Sequence, residues 1–247
     1  MTVPSLLPPA RKWNLFHAAA DFFHLLNRDY PRQAALEMVG NRYGLPAMER
    51  QLLHRGIFSR DEALSRRAKR ENGAGWLRKP LAVDGHNVQI TLESHIEERM
   101  LLHANDGAVR DLAGQSSRFR FSETSRIAME TIFRFLREFR PLEVLFFFDA
   151  PMSRSGEMAS MYHDSLRKAG IRGDARAVAV PEREFPYSGC VVASSDRAVI
   201  DASEKWIDLA EVIMRYSSVP VLTADFSNII LPGSAERQLF ADGGPFW

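Results

Sequence analysis

The pattern of apolar and polar positions divides the chain into a helical front and an alternating back. The segment NLFHAAADFFHLL, residues 14–26, places four apolar side chains at helical spacing: Leu15, Ala18, Phe22 and Leu25. Three further amphipathic segments follow, separated by Pro31, by Gly44-Leu45-Pro46 and by Ser59. The segment ENGAG, residues 71–75, is typical of a linker. We therefore predict a small all-α domain over residues 14–70.

From about residue 80 the pattern changes to short apolar runs that alternate with amphipathic helices. Near-continuous apolar runs are typical of parallel strands buried on both faces. The five runs are LAV (81–83), VLFFF (144–148), ARAVAV (175–180), CVVA (190–193) and VPVL (219–222). The helices predicted between them are SETSRIAMETIFRFLREF, SGEMASMYHDSLRKAG and EKWIDLAEVIMRY. This alternation predicts an α/β domain over residues 78–235, with a parallel sheet flanked by helices.

The stretch between the first two strands is too long for a plain connection. It contains Asn105-Asp106-Gly107, which is a strong signal for a hairpin turn. We therefore expect an inserted β-ribbon near residues 98–121.

The formal net charge of +1 is nearly neutral, but the charge is distributed unevenly. Residues 1–80 hold 14 Lys and Arg against 7 Asp and Glu, whereas residues 81–247 hold 18 against 24. The basic helices would be able to follow a phosphate backbone, although a charged run is more often a solvated face. The arginines that recur through them are Arg28, Arg32, Arg42, Arg50 and Arg55.

Cysteine and hydropathy exclude several other classes. Cys190 is the only cysteine, so neither an internal disulfide nor a cysteine-based zinc site is possible, and we expect it to pack as a small core residue. No apolar segment is long enough for a signal peptide or a membrane helix. These features predict a cytoplasmic protein without a membrane partner.

Aspartates follow four of the five predicted strands. They are Asp84, Asp149, Asp196 and Asp225. In open parallel sheets the functional crevice lies beyond the carboxyl ends of the strands. A strand order of 3-2-1-4-5 would place these four aspartates side by side on one edge. Any one of them alone is more simply an N-cap of the following helix.

Three acids that converge on one edge favour a divalent cation. Like charges at close range repel unless a cation or protons neutralise them. Mg²⁺ and Mn²⁺ prefer oxygen ligands, usually a few carboxylates together with water and a substrate phosphate. We therefore expect Mg²⁺ or Mn²⁺ at Asp84, Asp149 and Asp196.

These motifs carry a resemblance to a known class of enzyme. A strand followed by Asp-Gly-His-Asn, then FFFDAP, then VVASSD with Asp201 five residues later, resembles the PIN-like nucleases of the NYN type. The whole chain, including NRDYPRQAALEMVGNRYGL and NDGAVRDLAG, also looks like an uncharacterised bacterial and archaeal family of domains of unknown function. The first resemblance covers roughly residues 80–225 and implies a PIN-like sheet of order 3-2-1-4-5.

The nuclease resemblance implies metal-dependent hydrolysis of a phosphodiester bond, more often in RNA. By position, Asp84 and Asp149 would hold the metal, Asp196 would complete the site and Asp201 is a fourth candidate ligand. Asn87 would orient the first carboxylate or the scissile phosphate. The third motif departs from the family pattern, because Arg197 follows Asp196 where a second acid is common.

Four further residues are candidates for binding the substrate. Ser153, Arg154 and Ser155 stand at a predicted helix start directly after the second strand, where free N–H groups favour phosphate oxygens, although a serine-capped helix is an equal alternative. Arg110 in the insertion would reach over the site, or form a hairpin-end salt bridge. Glu93 would face the metal or cap a helix, and we expect alternation along the strand to turn His86 away.

Two functions from different classes follow. The first is a metal-dependent nuclease whose basic helical domain holds nucleic acid. The alternative is a non-catalytic nucleic-acid-binding or scaffold protein that retains the fold. The nuclease hypothesis requires Asp84, Asp149 and Asp196 to converge within reach of one ion, and it falls if two of them point into helix caps. A dehalogenase-type phosphatase is disfavoured because Pro151 stands where its second aspartate would be, and no P-loop or Gly-x-Ser-x-Gly motif is present.

Overall fold

The computed structural model describes residues 9–112, 121–152, 154–217 and 223–229, with the backbone alone at residues 9, 10 and 12. The chain forms two compact units. The described residues of the first lie within 1–68, 100–112 and 222–247, and those of the second within 69–99 and 113–221. The predicted boundaries instead placed 78–235 together in one α/β domain.

The first unit begins with four helices, as the front of the sequence indicates. Their bounds are α1 (Pro9–Leu26), α2 (Arg32–Arg42), α3 (Ala47–Gly56) and α4 (Arg60–Lys69), the last residue of α4 belonging to the second unit. Leu15, Ala18 and Phe22 point into the core, and Leu25 is partly buried against it. The apolar spacing in α1 therefore marks its buried face.

A small sheet completes the first unit. Its strands are β2 (Leu101–His103), β3 (Val109–Asp111) and β8 (Thr223–Asp225), in the order β3-β2-β8. β2 and β3 pair antiparallel around the Asn105-Asp106-Gly107 turn, while β2 and β8 pair parallel. Phe226 and Ile229, which follow β8, pack into the same core as the helices.

The second unit is a parallel five-stranded sheet flanked by helices. Its strands are β1 (Pro80–Asp84), β4 (Glu143–Asp149), β5 (Gly173–Val178), β6 (Val191–Ala193) and β7 (Trp206–Ile207), in the order β5-β4-β1-β6-β7. Its helices are α5 (Gly85–Ile96), α6 (Glu123–Phe139), α7 (Ser155–Ala169), α8 (Pro181–Glu184), α9 (Arg197–Ala202) and α10 (Leu209–Tyr216). Cys190 packs in the core as predicted.

One prediction about this sheet is wrong, and another cannot be compared. The fifth strand is Trp206–Ile207, within a segment predicted to be helical, and the helix begins only at Leu209. The predicted strand at 219–222 lies outside the described residues, and the strand that follows it, β8, pairs in the other sheet. Asp225 therefore does not belong to the edge that carries Asp84. Among the described residues no helix has both the length and the apolar character needed to cross a membrane.

The connection after β1 is also more regular than the sequence indicates. Helix α5 starts at once at Gly85 and runs for 12 residues. A Cβ atom at Gly85 would lie 2.4 Å from the Phe148 ring, so glycine is required by close packing. The φ angle of Gly85 is not positive, so the need for glycine comes from the neighbouring strand and not from a left-handed backbone.

Candidate active site

The site lies where β1, β4 and β6 end side by side. In the register of these parallel strands, Val83 pairs with Ala193 and Asp84 pairs with Phe147. Asp84 thus stands at the centre of the edge, with the last residues of β4 on one side and the Ser194-Ser195-Asp196 loop on the other. The sheet brings three of the predicted residues to one edge, namely Asp84, Asp149 and Asp196.

The Asp84 carboxylate is held by two hydrogen bonds. Its Oδ1 accepts from the Asn87 N–H at 3.2 Å, and its Oδ2 accepts from the Ser194 hydroxyl at 2.9 Å. Burial raises the pKa of Asp84 from 3.8 to about 7; the two hydrogen bonds oppose this rise, while nearby Asp196 and Glu182 add to it. The charged groups that act on this buried acid are therefore themselves acids.

Asn87 ties two loops of the edge together. Its amide oxygen accepts from the Ser195 N–H at 2.8 Å, and its Nδ2 contacts the Ser195 hydroxyl at 3.0 Å. We expected Asn87 to orient the first carboxylate or a phosphate. Its backbone N–H does hold Asp84, while its side chain fixes the loop that carries Asp196.

Asp149 ends β4 with its carboxylate available. That carboxylate accepts no hydrogen bond from the described residues, and burial, with a contribution from Glu182, raises its pKa. Its backbone N–H donates to His86 Nδ1 at 3.0 Å. Burial lowers the pKa of His86 to about 4, so the ring is neutral and Nδ1 accepts. His86 is buried, and through this bond it holds the end of β4 in place.

Asp196 is an N-cap whose carboxylate remains accessible. Oδ1 accepts from the N–H groups of Ala198 and Val199 at 2.8 and 3.3 Å, while Oδ2 accepts no hydrogen bond from the described residues. Asp84 likewise caps α5. Two of the three acids thus point into caps, the condition expected to rule out a nuclease. That criterion is too strict, because a carboxylate has about four acceptor positions and the two caps leave some of them open.

Glu182 is a fourth acid at this edge that sequence reasoning missed. It lies on the single turn of α8, is exposed, and raises the pKa of both Asp84 and Asp149. Tyr187 lies nearby; burial raises its pKa, and Glu182, Asp196 and Asp84 add to the effect. The sequence marks Glu182 merely as an acidic residue after a strand. Many helices begin with such a residue, so this signal is not specific.

Of the residues at the start of α7 that were predicted to bind substrate, only one has a side chain that the structure shows exposed. Ser155 is buried, and its hydroxyl contacts the carbonyl oxygens of Asp149 and Met152 at 2.5 and 2.6 Å, so it stabilises the turn. Arg154 is exposed with a left-handed backbone at the N-cap of α7 and remains able to meet a ligand. Ser153 lies outside the described residues.

Three other residues were candidates for this site, and the structure gives each of them a different role. Arg110 is buried in the first unit, where both guanidinium NH groups bind Asp106, so the hairpin salt bridge is its observed role. Asp201 is exposed on α9, and its carbonyl accepts from Lys69 Nζ at 2.7 Å. Glu93 is buried inside α5 and accepts from Gln89 Nε2 at 2.7 Å, so it neither caps a helix nor faces solvent.

The carboxylates at this edge suit a hard cation, but as they stand they do not form a complete coordination site. Within the described ranges, no three His, Cys, Asp or Glu side chains lie close enough to hold a metal ion as they stand. Mg²⁺, however, usually binds through one or two carboxylates together with water and substrate phosphate. A cation bound here would offset the burial and the neighbouring negative charge that raise the pKa of Asp84.

Comparison with known proteins places this architecture in a family. The model described as "Domain of unknown function (DUF5616)" matches residues 76–212. The chain belongs to this family. A second model, described as "Protein of unknown function (DUF434)", matches residues 14–69.

The DUF5616 chain is also similar to a curated archaeal protein. An uncharacterized protein of Methanocaldococcus jannaschii is 27% identical over 183 residues, which cover 74% of this chain and 87% of that protein. No solved structure matches the chain.

Proposed function

We propose that this protein is a metal-dependent nuclease that hydrolyses phosphodiester bonds, preferentially in RNA, at the edge formed by Asp84, Asp149 and Asp196. The observation that carries the proposal is the placement of Asp84, Asp149 and Asp196 after the carboxyl ends of neighbouring parallel strands, where burial and nearby acids raise the pKa of Asp84. The proposal includes a PIN-like relationship for the sheet.

The protein's own residues would prepare the site in three ways. Ser194 and the Asn87 N–H fix Asp84, the Asn87 side chain fixes the loop of Asp196, and His86 fixes the end of β4. Asp84 and Asp149 would hold Mg²⁺ or Mn²⁺, and Asp196 or Glu182 would be a further ligand. When bound, the ion would lower the pKa of a water molecule and neutralise charge on the phosphate.

A non-catalytic nucleic-acid-binding protein is the second candidate. It is favoured by the capping roles of Asp84 and Asp196, together with the lack of a three-ligand group among the described residues. On this alternative the acids would serve local structure, and a metal ion would change neither binding nor stability.

Cleavage of labelled tRNA, single-stranded RNA and single-stranded DNA separates the two candidates. We expect Mg²⁺- or Mn²⁺-dependent products from the native protein and a loss of about a hundredfold in Asp149→Asn, on the order of 3 kcal/mol. Asp164→Asn is the matched control, because this exposed acid lies in the second half of α7 and its one ion pair with a described residue is with Arg167, at 3.8 Å.

Three outcomes decide between the candidates. Cleavage lost in Asp149→Asn but kept in Asp164→Asn supports the nuclease. Retention of RNA by the native protein without cleavage in either metal supports the binding protein. Cleavage that survives in Asp149→Asn would point to a contaminant and contradict the proposal.

A further inference from the structure

A second surface of the α/β unit carries a basic groove. Two adjoining cavities, of about 510 and 500 Å³, lie between α6 and α7 and share Arg137 and Ala169. The residues at one end precede β4 and β5, so this end of the groove lies at the amino ends of the strands, opposite the acidic edge. Five cationic side chains line the two cavities: Arg134, Arg137, Arg140, Lys168 and Arg172. Glu130 is the one carboxylate among the lining residues.

Most of these cations are not neutralised by the protein. The exposed side chains of Arg134, Arg137, Arg140 and Lys168 make no ion pair or side-chain hydrogen bond with any described residue, whereas Arg172 contacts Glu143 at 3.3 Å. Glu130 is itself bound by Arg126.

Three exposed arginines elsewhere in the same unit do form ion pairs. Arg99 pairs with Glu97 at 3.1 Å, Arg176 with Asp174 at 2.6 Å, and Arg215 with Glu211 at 2.6 Å. The groove therefore brings together four cationic side chains that form no ion pair with any described residue.

Helix ends explain only part of this arrangement. Cations in the last turn of a helix interact favourably with its carboxyl end, which accounts for Arg137 and Lys168. That effect fades within one turn, so it does not account for Arg134. Arg140 adopts a left-handed backbone with φ 47° at the end of α6, where glycine would be favoured. An arginine at this position adds charge to the groove at a conformational cost.

The groove is long rather than compact, and it is not purely polar. Its lining runs from Ile127 to Arg140, a helical rise of about 20 Å. Arg134 and Arg137 line one cavity, and Arg137 and Arg140 line the other, so the three charges follow one another along the groove. Ile127 and Leu142 are 38% and 53% exposed and add apolar surface at its two ends. A row of charge with apolar patches fits a chain of phosphates that carries sugars and bases better than a bare phosphate ion.

We propose that the α6–α7 groove binds the sugar-phosphate backbone of a nucleic acid strand. Arg134, Arg137, Arg140 and Lys168 contact successive phosphates, and Ile127 and Leu142 contact the sugars or bases. Binding of this kind depends on charge and releases counterions, so it weakens steeply with salt. It goes beyond the proposed nuclease, because it does not require the acidic edge to be active.

Fluorescence anisotropy of a labelled 20-nucleotide oligouridylate tests the proposal. EDTA is present throughout, so that binding is measured without cleavage and its failure is distinct from failure of the nuclease. We expect the triple variant Arg134→Gln/Arg137→Gln/Arg140→Gln to bind at least tenfold more weakly, with a salt slope smaller by about 2 for three lost phosphate contacts.

Two matched variants control for charge and folding. Arg99→Gln/Arg176→Gln/Arg215→Gln removes the same charge from paired arginines outside the groove and should weaken binding less than threefold. The triple Arg→Lys change at positions 134, 137 and 140 keeps the charge and should restore binding to within about threefold of the native protein. Circular dichroism and melting curves of all variants check that the fold is retained.

Other outcomes overturn the proposal. Equal weakening in both Gln triples would show that net charge, rather than the groove, drives binding. Tripolyphosphate that binds as tightly as the oligonucleotide would indicate a small phosphate ligand. Capture by phosphatidylglycerol vesicles without oligonucleotide binding would indicate a membrane surface.

Discussion

Two aspartates, one in each unit, show how differently this chain treats a buried acid. Asp106 in the first unit is completely buried and is bound by Arg66 at 3.2 Å and Arg110 at 2.8 Å. Burial alone would raise the pKa of Asp106, but the two guanidinium groups lower it. Asp84 in the second unit is offered only a hydroxyl and an amide, beside further acids, and its pKa is raised to about 7.

The difference separates a structural acid from a functional candidate. The first unit supplies its own counterions, and the Arg66 and Arg110 guanidinium groups also lie over the Phe58 ring. The second unit leaves neutralisation of Asp84 to a proton or an external cation. A perturbed pKa at a sheet edge therefore carries more information about function than burial does.

Removal of the structural acid should have the largest effect. Asp106→Asn leaves two buried guanidinium groups without their carboxylate, and we expect the free energy of unfolding to fall by about 3–5 kcal/mol. Denaturant unfolding measures it, with Asp164→Asn as an exposed control that should change stability by less than about 0.5 kcal/mol. Similar losses in the two variants would erase the distinction.

Removal of the Asp84 carboxylate should instead raise the free energy of unfolding. The folded-state pKa of Asp84 lies above its unfolded value, so the folded protein binds the extra proton and stability falls as pH rises from about 4 to 7. Without metal at pH 8, Asp84→Asn should therefore gain about 2–4 kcal/mol and lose this pH dependence. Melting curves from pH 4 to 8 measure it, and a destabilised variant at pH 8 would contradict the assignment.

The strand-end aspartate of the other sheet should behave as a turn residue. Asp225 accepts from the Ser227 N–H at 2.7 Å. Asp225→Ala should cost about 1 kcal/mol through this lost bond and leave any Mn²⁺-induced rise in melting temperature unchanged. If Mn²⁺ no longer stabilised this variant, Asp225 would take part in metal binding and would not be a turn residue alone.

The smallest expected effect is electrostatic. Glu182→Gln removes one like charge from the neighbourhood of Asp84 and Asp149, and it should lower the pKa of each. Carboxyl-carbon NMR titration of the native and variant proteins measures both values. An unchanged titration would place Glu182 outside the acidic cluster.

The sequence predicts the acids better than their surroundings. Continuous apolar runs identify four strands of the sheet, and each of Asp84, Asp149 and Asp196 follows such a run. Strand β7 was not predicted, because a strand of two residues is too short to show a periodic pattern of apolar and polar side chains. Helix α5 was missed because polar residues, among them Gln89 and Glu93, are buried in its interior. Ser194 and Glu182 approach Asp84 only through the fold, which local pattern does not encode.

Arginines give the same lesson. The basic front suggested a nucleic-acid surface, yet Arg32 donates to the carbonyls of His54 and Ile57, and Arg50 donates to the Leu45 carbonyl. Arg42 pairs with Asp21 at 3.2 Å. A count of charges cannot tell arginines that the fold has already used from those, such as Arg137, that it leaves open.

The pairing of β2 with β8 has a consequence for the order in which the protein is made. All strands of the five-stranded sheet lie between residues 80 and 207, whereas the small sheet joins residues 101–103 to residues 223–225. During synthesis, the α/β unit has its full set of strands first, while β2 presents an open edge and the helical core lacks Phe226 and Ile229. Of the two units, the one whose helices are synthesised earlier is thus the later to be completed.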